Sequence, residues 1–285
     1  MRILITGSNG YIAQSLYKSL QETYNVQCIS LRSNQWLQES FSNYAVIIHT
    51  AGIAHVTHKE KDLNVYDEIN HKLTSAVAIK AKQEGVKQFI FLSSILVYGE
   101  SRPTISFIDK TTEPSPTTPY GKSKLKAEKA LLNLKDITFK VAILRLPMVY
   151  GPKSKGNYSS LSRFAKKSPI FIRVKNKRSI IYVEHLTEFI HELIKNEYEG
   201  IYFPQNKEAV STAQLIKAIR DAHDKKTLIL PCPYWVLKGL MLMHPMFKKV
   251  FGSQVYHKEL SSNNFHYIKY SFDETIRRTE STKEL

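Results

Sequence analysis

Tyr120 and Lys124 stand four residues apart, so on a helix they share one face a single turn from each other. An ammonium held beside a phenol favours the phenolate and lowers the phenol's pKa towards neutrality. Ser94, 26 residues before Tyr120, closes the strand-like run Phe91-Leu92-Ser93-Ser94 and is followed by Val97-Tyr98-Gly99. Its hydroxyl can share the proton with the phenol, or hold the substrate oxygen that receives it. Together the three side chains form a proton-transfer device for a carbonyl or carbinol, and such a device needs a hydride carrier. A tyrosine and lysine at this spacing occur by chance in many helices. The strand before them and the length of the gap give this pair its weight.

The carrier's site must come from the elements around it. Arg2-Ile3-Leu4-Ile5-Thr6 reads as a buried parallel strand. Gly7-Ser8-Asn9-Gly10-Tyr11-Ile12-Ala13 follows, and then a helical pattern with Ile12, Leu16 and Leu20 on one face. Strand, glycine turn and helix in that order suit a dinucleotide pyrophosphate. Gly7 permits the turn, Gly10 admits the backbone to the phosphates, and Tyr11 and Ile12 open the helix whose N-terminus faces them. The spacing is G-x-x-G-x-x-A. The next strand, Val26 to Leu31, ends at Ser30 and Arg32, with no acidic residue until Glu39. A carboxylate there accepts from a ribose hydroxyl and repels a 2′-phosphate, whereas Ser and Arg bind one. NADP(H) is therefore favoured, with NAD(H) as the alternative.

Only about a dozen residues, Trp36 among them, separate Arg32 from the strand Ala45 to His49. That is too short for a strand-helix-strand unit, so the third strand is expected to be missing or vestigial. Trp36 reads as packing, or as shelter for an adenine. Thr50-Ala51-Gly52 ends the strand with small residues, as close approach of a dinucleotide requires. His49, His55 and His58 fit no metal-ligand spacing and read as loop residues beside a cofactor. A helix from about Asn64 to Glu84 carries Asn70. The strand Gln88 to Leu92, a Pro-, Thr- and Ser-rich loop to Pro119, the Tyr120 helix and the strand Val141 to Leu146 complete an alternating pattern. It predicts an α/β fold, a Rossmann-like doubly wound parallel sheet, with a smaller C-terminal lobe.

Size and composition agree. The 285 residues are 42% apolar, with two cysteines, Cys28 and Cys232, which suits a reducing cytoplasm. No leader follows Met1 and no apolar run is long enough to span a bilayer, so a cytoplasmic location is expected. The formal charge is +16, and nine Lys or Arg but no acid fall between Lys153 and Arg178. That stretch lacks the interleaved aromatics of a single-strand binder and any DNA-reading motif, so no nucleic acid partner is expected. A basic mouth for a nucleotide diphosphate accounts for it. Pro233 to Phe251 is apolar with flanking lysines, and reads as helices of the smaller lobe or as a peripheral contact with a membrane surface.

In their order, Gly7-x-x-Gly10-x-x-Ala13, Thr50-Ala51-Gly52, Asn70, Ser93-Ser94 with Val-Tyr-Gly, Tyr120-Gly-Lys-Ser-Lys124 and Arg145-x-Pro-x-Val-Tyr-Gly-Pro152 resemble the extended short-chain dehydrogenase/reductases. More narrowly the chain resembles the NAD(P)-dependent nucleotide-sugar epimerases and dehydratases, over essentially its whole length. The resemblance implies Ser94, Tyr120 and Lys124 as the catalytic set, and Asn70 near the nicotinamide ribose. It implies that Asn157 lies near a UDP-sugar diphosphate and that Arg178 binds a phosphate. Ser179 stands where the family has Asp, so hydrogen bonding in that loop is expected to differ. Residues 1–149 would form the dinucleotide domain and 150–285 mainly the substrate lobe, with about 178–203 returning to the first. A homodimer is expected. The nearest branch is the 4-keto reductases of capsular-polysaccharide synthesis, which form UDP-N-acetylfucosamine or its C4 epimer. Ile95 and Leu96 leave no acid/base pair beside Ser94 for dehydration. The alternative is a UDP-sugar 4-epimerase with tightly held NAD, and a non-catalytic dinucleotide sensor ranks behind both.

Overall fold

The computed structural model describes residues 1–54, 61–101, 106–173, 175–231, 252–261 and 265–281. In chain order the first elements are β1 (Arg2–Thr6), α1 (Tyr11–Leu20), β2 (Asn25–Ile29), β3 (Val46–His49), α2 (Lys61–Asp67), α3 (Leu73–Gln83) and β4 (Gln88–Ser94). There follow β5 (Phe107–Ile108), α4 (Pro119–Leu134), β6 (Lys140–Leu146), β7 (Met148–Tyr150), α5 (Asn157–Lys167), β8 (Ile170–Arg173) and β9 (Ile180–Tyr182). Last come α6 (Val183–Lys195), β10 (Gly200–Tyr202), α7 (Thr212–Asp221), β11 (Leu228–Pro231), β12 (Val255–Tyr256) and α8 (Phe272–Ser281).

The chain divides into two compact units. The first comprises Met1–Gly99, Glu113–Leu146 and Thr187–Pro204. Its six strands form one parallel sheet in the order β10-β6-β4-β3-β1-β2, with Ile3 opposite Val46 and Ser94 opposite Leu146. Strands this apolar need cover on both faces. One set of alternate residues, Leu4, Ile47, Phe89, Phe91, Val141 and Ile143, packs with Val77 and Ala81 of α3 and Ala127 and Leu131 of α4. The other set, including Ile3, Ile5, Ile48 and Ile90, is equally buried. Burying those two sets stabilises the sheet at roughly 25 cal/mol per Å² of apolar surface.

Residues 30–45 hold one 3-10 turn, Asn34–Leu37, and no strand, so β2 is the edge of the sheet, as the short spacing requires. Trp36 is buried in that turn, its ring stacked 6.5 Å from Phe41. His49 closes β3, as the predicted strand Ala45 to His49 has it, rather than standing in a loop beside a cofactor. It is fully buried there, bridging Thr6 (2.8 Å) and Thr74 (3.0 Å), and burial pulls its pKa down to about 3, so it is neutral. A histidine can stand in a core strand when both ring nitrogens find partners. His55 and His58 lie outside the described residues, as do Cys232 and the stretch 233–251.

The second unit comprises Glu100–Thr112, Pro147–Leu186 and Gln205–Leu285. The chain thus makes an early excursion into it and leaves it within α6, nine residues later than the motif at Arg178 suggests, because β9 pairs with β7 rather than with the six-stranded sheet. Two further parallel pairs, β8 with β11 and β5 with β12, and the helices α5, α7 and α8 complete it. Its core holds the stacked rings of Tyr150 and Tyr158, 5.3 Å apart. The buried Glu280 carboxylate accepts from Tyr158 (2.9 Å) and Ser162 (3.0 Å) and pairs with His223 (2.9 Å). Among the described residues no helix is long and apolar enough to cross a membrane.

Candidate active site

Helix α4 lies along the end of β4, and a row of side chains at every fourth position meets it. The Tyr120 phenol faces the Ser94 hydroxyl, which favours the phenolate. Lys124 Nζ donates to the Leu92 carbonyl at 2.9 Å. Glu128 accepts from the Ser93 hydroxyl. The start of α4 is set locally: Pro119 occupies its first turn and the Thr118 hydroxyl caps it, accepting from the Gly121 amide at 3.1 Å. Gly121 is the reason the two elements come so close. A Cβ there would collide with the Leu96 carbonyl oxygen, in the 3-10 turn (Ile95–Tyr98) that follows Ser94. The Ser94 oxygen also accepts from the Leu96 amide at 3.2 Å, which leaves its own proton for the phenol.

Burial pushes the Tyr120 phenol up to about 12, against the lowering by the Ser94 hydroxyl, and the nearby Tyr66 raises it further. The Tyr66 ring packs edge-on to Tyr120, with centroids 6.3 Å apart. Burial pulls Lys124 down to about 8, opposed by the carboxylate of Glu128. The expected lowering of the phenol by the ammonium is not found. Lys124 turns to the Leu92 carbonyl and lies 4.5 Å over the Phe91 ring, so desolvation decides the phenol. In the free protein Tyr120 is a neutral phenol and therefore a proton donor.

The residues expected to hold a dinucleotide are placed as follows. Gly7 has φ +89°, a conformation L side chains rarely adopt, and a Cβ there would fall 2.9 Å from the Ala51 Cα. Gly10 precedes α1 with no side-chain cap, and the amides of a helix's first turn point out of its N-terminus rather than into the helix ladder. This is a cradle that fits a pyrophosphate. Ser30 and Arg32 are exposed just beyond β2, where the Ser30 hydroxyl accepts from the Arg32 amide at 3.3 Å. Thr50 is committed elsewhere, its hydroxyl donating to the Thr6 carbonyl at 2.7 Å. Gly52 lies against both Asn70 and Lys124. Asn70, in a π-helical turn (Glu68–Lys72) between α2 and α3, is fully buried. Its Oδ1 accepts from the Ile53 amide at 2.8 Å, and its Nδ2 donates to the Ile53 carbonyl at 3.0 Å and to Ser123 at 3.1 Å. Asn70 thereby ties the loop after β3 to α4, a clamping role that its motif alone does not reveal.

Sequence reasoning missed a second group. Glu128 and Arg145 are both buried, and Arg145 donates to the carboxylate from Nε (3.2 and 3.1 Å) and from one terminal nitrogen (2.7 Å). The other terminal nitrogen donates to the Tyr98 hydroxyl at 2.5 Å. The available signal was an arginine inside the apolar strand Val141–Leu146, and a glutamate continuing the four-residue repeat from Tyr120 and Lys124.

The model of the NAD dependent epimerase/dehydratase family matches residues 3–203. The chain belongs to this family. Along 276 aligned residues the chain is 33% identical to the UDP-glucose 4-epimerase of Vibrio cholerae, spanning 88% of this chain and 82% of the relative. Its fold is shared with the dTDP-4-dehydrorhamnose reductase of Bacillus anthracis, solved with NADP (TM-score 0.77, 25% identity, 99% of each chain). A UDP-glucuronic acid 4-epimerase from Bacillus cereus, solved with a UDP-sugar analogue and NAD, superposes as well (TM-score 0.77, 19% identity, 99% of this chain and 98% of the other).

Two expected substrate residues lie in the second unit. Asn157 is the exposed first residue of α5. Arg178 forms backbone bridges to Val210 and Gln254, its Nε donates to the Gly252 carbonyl at 2.9 Å, and burial pulls its pKa down to about 10. Ser179, in place of the family's Asp, donates to Gln205 (2.5 Å) and accepts from the Tyr256 amide (2.9 Å). A hydroxyl both gives and accepts, and a carboxylate could not have donated to Gln205. Among the described residues no group of side chains could hold a metal ion.

Proposed function

We propose that this chain is an NAD(P)-dependent oxidoreductase acting at C4 of a UDP-sugar, with 4-epimerisation as its leading reaction. The cluster of Ser94, Tyr120 and Lys124 at the end of β4 carries the chemistry. The similarity to a UDP-glucose 4-epimerase over 88% of the chain supports the choice of reaction.

When bound, the dinucleotide supplies reversible hydride exchange with the sugar's C4. The chain's own groups do the rest. Gly7, Gly10 and the first amides of α1 hold the pyrophosphate. In the oxidative half-reaction Tyr120 must act as its phenolate, its own proton having left to solvent, and it takes the O4 proton as the C4–H bond breaks and the carbonyl forms. The phenol so formed returns that proton when hydride is delivered to the other face. Ser94 hydrogen-bonds O4 and shares the proton with the phenol. Lys124 is the ammonium that faces the ribose and supplies positive charge next to the developing oxyanion. Asn157 and Arg178 would hold the UDP diphosphate.

A second reading is favoured by one observation. Ser30 and Arg32 stand exposed beyond β2 with no acid beside them, which suits a 2′-phosphate. The reaction would then be NADPH-dependent reduction of a UDP-2-acetamido-2,6-dideoxy-4-ketohexose to UDP-N-acetylfucosamine or its C4 epimer, for which the neutral Tyr120 phenol is already in the donating form. Purified protein separates the two. Interconversion of UDP-hexoses or UDP-HexNAcs, with nicotinamide retained through gel filtration and no net NADPH consumed, supports the epimerase. Stoichiometric NADPH oxidation with a 4-keto sugar supports the reductase. Inertness towards every nucleotide sugar tested would sink both. A homodimer and a cytoplasmic location belong to the same proposal and are read by sedimentation and by fractionation. The peripheral membrane contact is checked by flotation with anionic vesicles.

A further inference from the structure

The row on α4 continues past the two residues to which chemistry is assigned. Tyr120, Lys124 and Glu128 fall at i, i+4 and i+8 on one face, and a glutamate four residues from a lysine ordinarily pairs with it. Here it does not. Both carboxylate oxygens of Glu128 are occupied, by Arg145 through three N–H bonds and by the Ser93 hydroxyl. Arg145 is itself fixed by the Tyr98 hydroxyl and lies over the Tyr98 ring (5.0 Å) and the Phe203 ring (5.8 Å). With Glu128 held, Lys124 Nζ has Leu92 O as its acceptor, a neutral partner on the side of Gly52 and Asn70.

We propose that Arg145 is a positioning residue whose part in the reaction is to sequester Glu128, so that Lys124 stays unpaired with it and stays turned towards Leu92, Gly52 and Asn70, the side on which the cofactor is read to bind. The proposal rests on the reading of Lys124 given above. Glu128 then acts on Lys124 only from a distance, as a through-space charge that keeps a buried amine protonated. That division separates two needs that conflict in a direct pair. A lysine locked to a carboxylate is fully charged but cannot reach the ribose, and a buried lysine without a carboxylate nearby reaches it but loses its proton.

The charged and titratable groups facing Lys124 are few. From α4 itself they are Glu128 and the Tyr120 phenol. From β3 comes His49, which is neutral, and from β6 comes Arg145 behind Glu128. The Phe91 ring of β4 and the amide of Asn70 are the uncharged neighbours.

The test uses Arg145→Gln, Glu128→Gln and the double variant in the full chain. Lys124 is followed by ζ-15N-lysine NMR against pH, its signal assigned by loss in Lys124→Arg, alongside NADPH and NADH dissociation constants, kcat and thermal stability. In Arg145→Gln the freed carboxylate captures Lys124. Its titration midpoint rises by about one pH unit or more, dinucleotide binding weakens several-fold, and kcat falls at least about tenfold. In Glu128→Gln the midpoint falls by a similar amount. In the double variant it lies between the two, and dinucleotide binding recovers from its value in Arg145→Gln. A pair that merely holds the fold together would lower the melting temperature and leave the Lys124 midpoint where it is, and that result overturns the proposal. So does an Arg145→Gln midpoint that falls. Should Arg145→Gln not fold, Arg145→Lys keeps the charge but cannot fork onto both oxygens, and gives the same signs at smaller amplitude. The NMR arm needs no substrate, so a failed assignment of the reaction is distinguishable from failure of this inference.

Discussion

At the scale of single residues, the site turns on two groups displaced by burial in opposite senses. The Tyr120 phenol is held up at about 12 and the Lys124 amine down at about 8. Replacing Tyr120 by Phe keeps the ring against Tyr66 and removes the proton. Turnover is expected to fall by about a thousandfold, with the NADPH dissociation constant changed less than about twofold, measured by fluorescence titration. Intact turnover would remove the phenol from its role. The pH profile follows from Lys124. Its ammonium is the working form, so activity is expected to be present below about pH 8 and to fall as pH rises through that value. Stability moves the other way. The unfolded chain binds the lysine proton up to its ordinary value of 10.5, so between about 8 and 10.5 unfolding becomes harder, not easier, as pH rises. A circular-dichroism melt across the same range therefore separates loss of the ammonium from loss of the fold.

At the scale of elements, the close approach of α4 to the turn after β4 is what brings Tyr120 to Ser94, and Gly121 permits it. Gly121→Ala inserts a methyl against backbone, which cannot swing aside as a side chain would. The helix must move, at a cost of about 1–3 kcal/mol. The expected outcome is a melting temperature lower by several degrees and kcat lower by at least about tenfold, with the dinucleotide still bound through Gly7 and Gly10. Unchanged kcat would show that the Ser94–Tyr120 approach does not set the rate. This glycine also marks where sequence reading stops. Tyr120, Lys124 and Ser94 are legible because residue type and spacing state their chemistry. The element order and the lost third strand are legible because apolar runs and short connections leave no other parallel arrangement. Gly121 is hidden because a lone glycine in the first turn of a helix, the third residue of α4, has no periodicity to betray the carbonyl it faces. The surroundings of His49 and Asn70 are hidden for a related cause, because the partners that engage their polar groups, Thr6 and Thr74 for one and Ile53 and Ser123 for the other, come from distant parts of the chain.

At the scale of the whole molecule, the charge of +16 is unevenly spread, with nine cations and no acid between Lys153 and Arg178. Many of these are exposed, Lys153, Lys155, Arg163, Lys167, Arg173, Lys175 and Lys177 among them. Exposed charges act over about a Debye length, ~10 Å at 0.1 M salt, so they contribute to capture of an anion rather than to its chemistry. A UDP-sugar carries its charge on the diphosphate. KM for the nucleotide sugar is therefore expected to rise several-fold between about 0.05 and 0.3 M salt, while kcat stays within about twofold. Lys153→Glu/Lys155→Glu places two reversed charges just before Asn157 and α5. It should raise KM at low salt and flatten its dependence on salt, and leave kcat and the dinucleotide dissociation constant alone. Initial-rate measurements in a salt series decide this. If the salt dependence of the variant matches that of the wild type, these lysines are a solvated face with no part in capture. A fall in kcat without a change in KM would instead place them in the chemistry, where their exposure gives them no means to act.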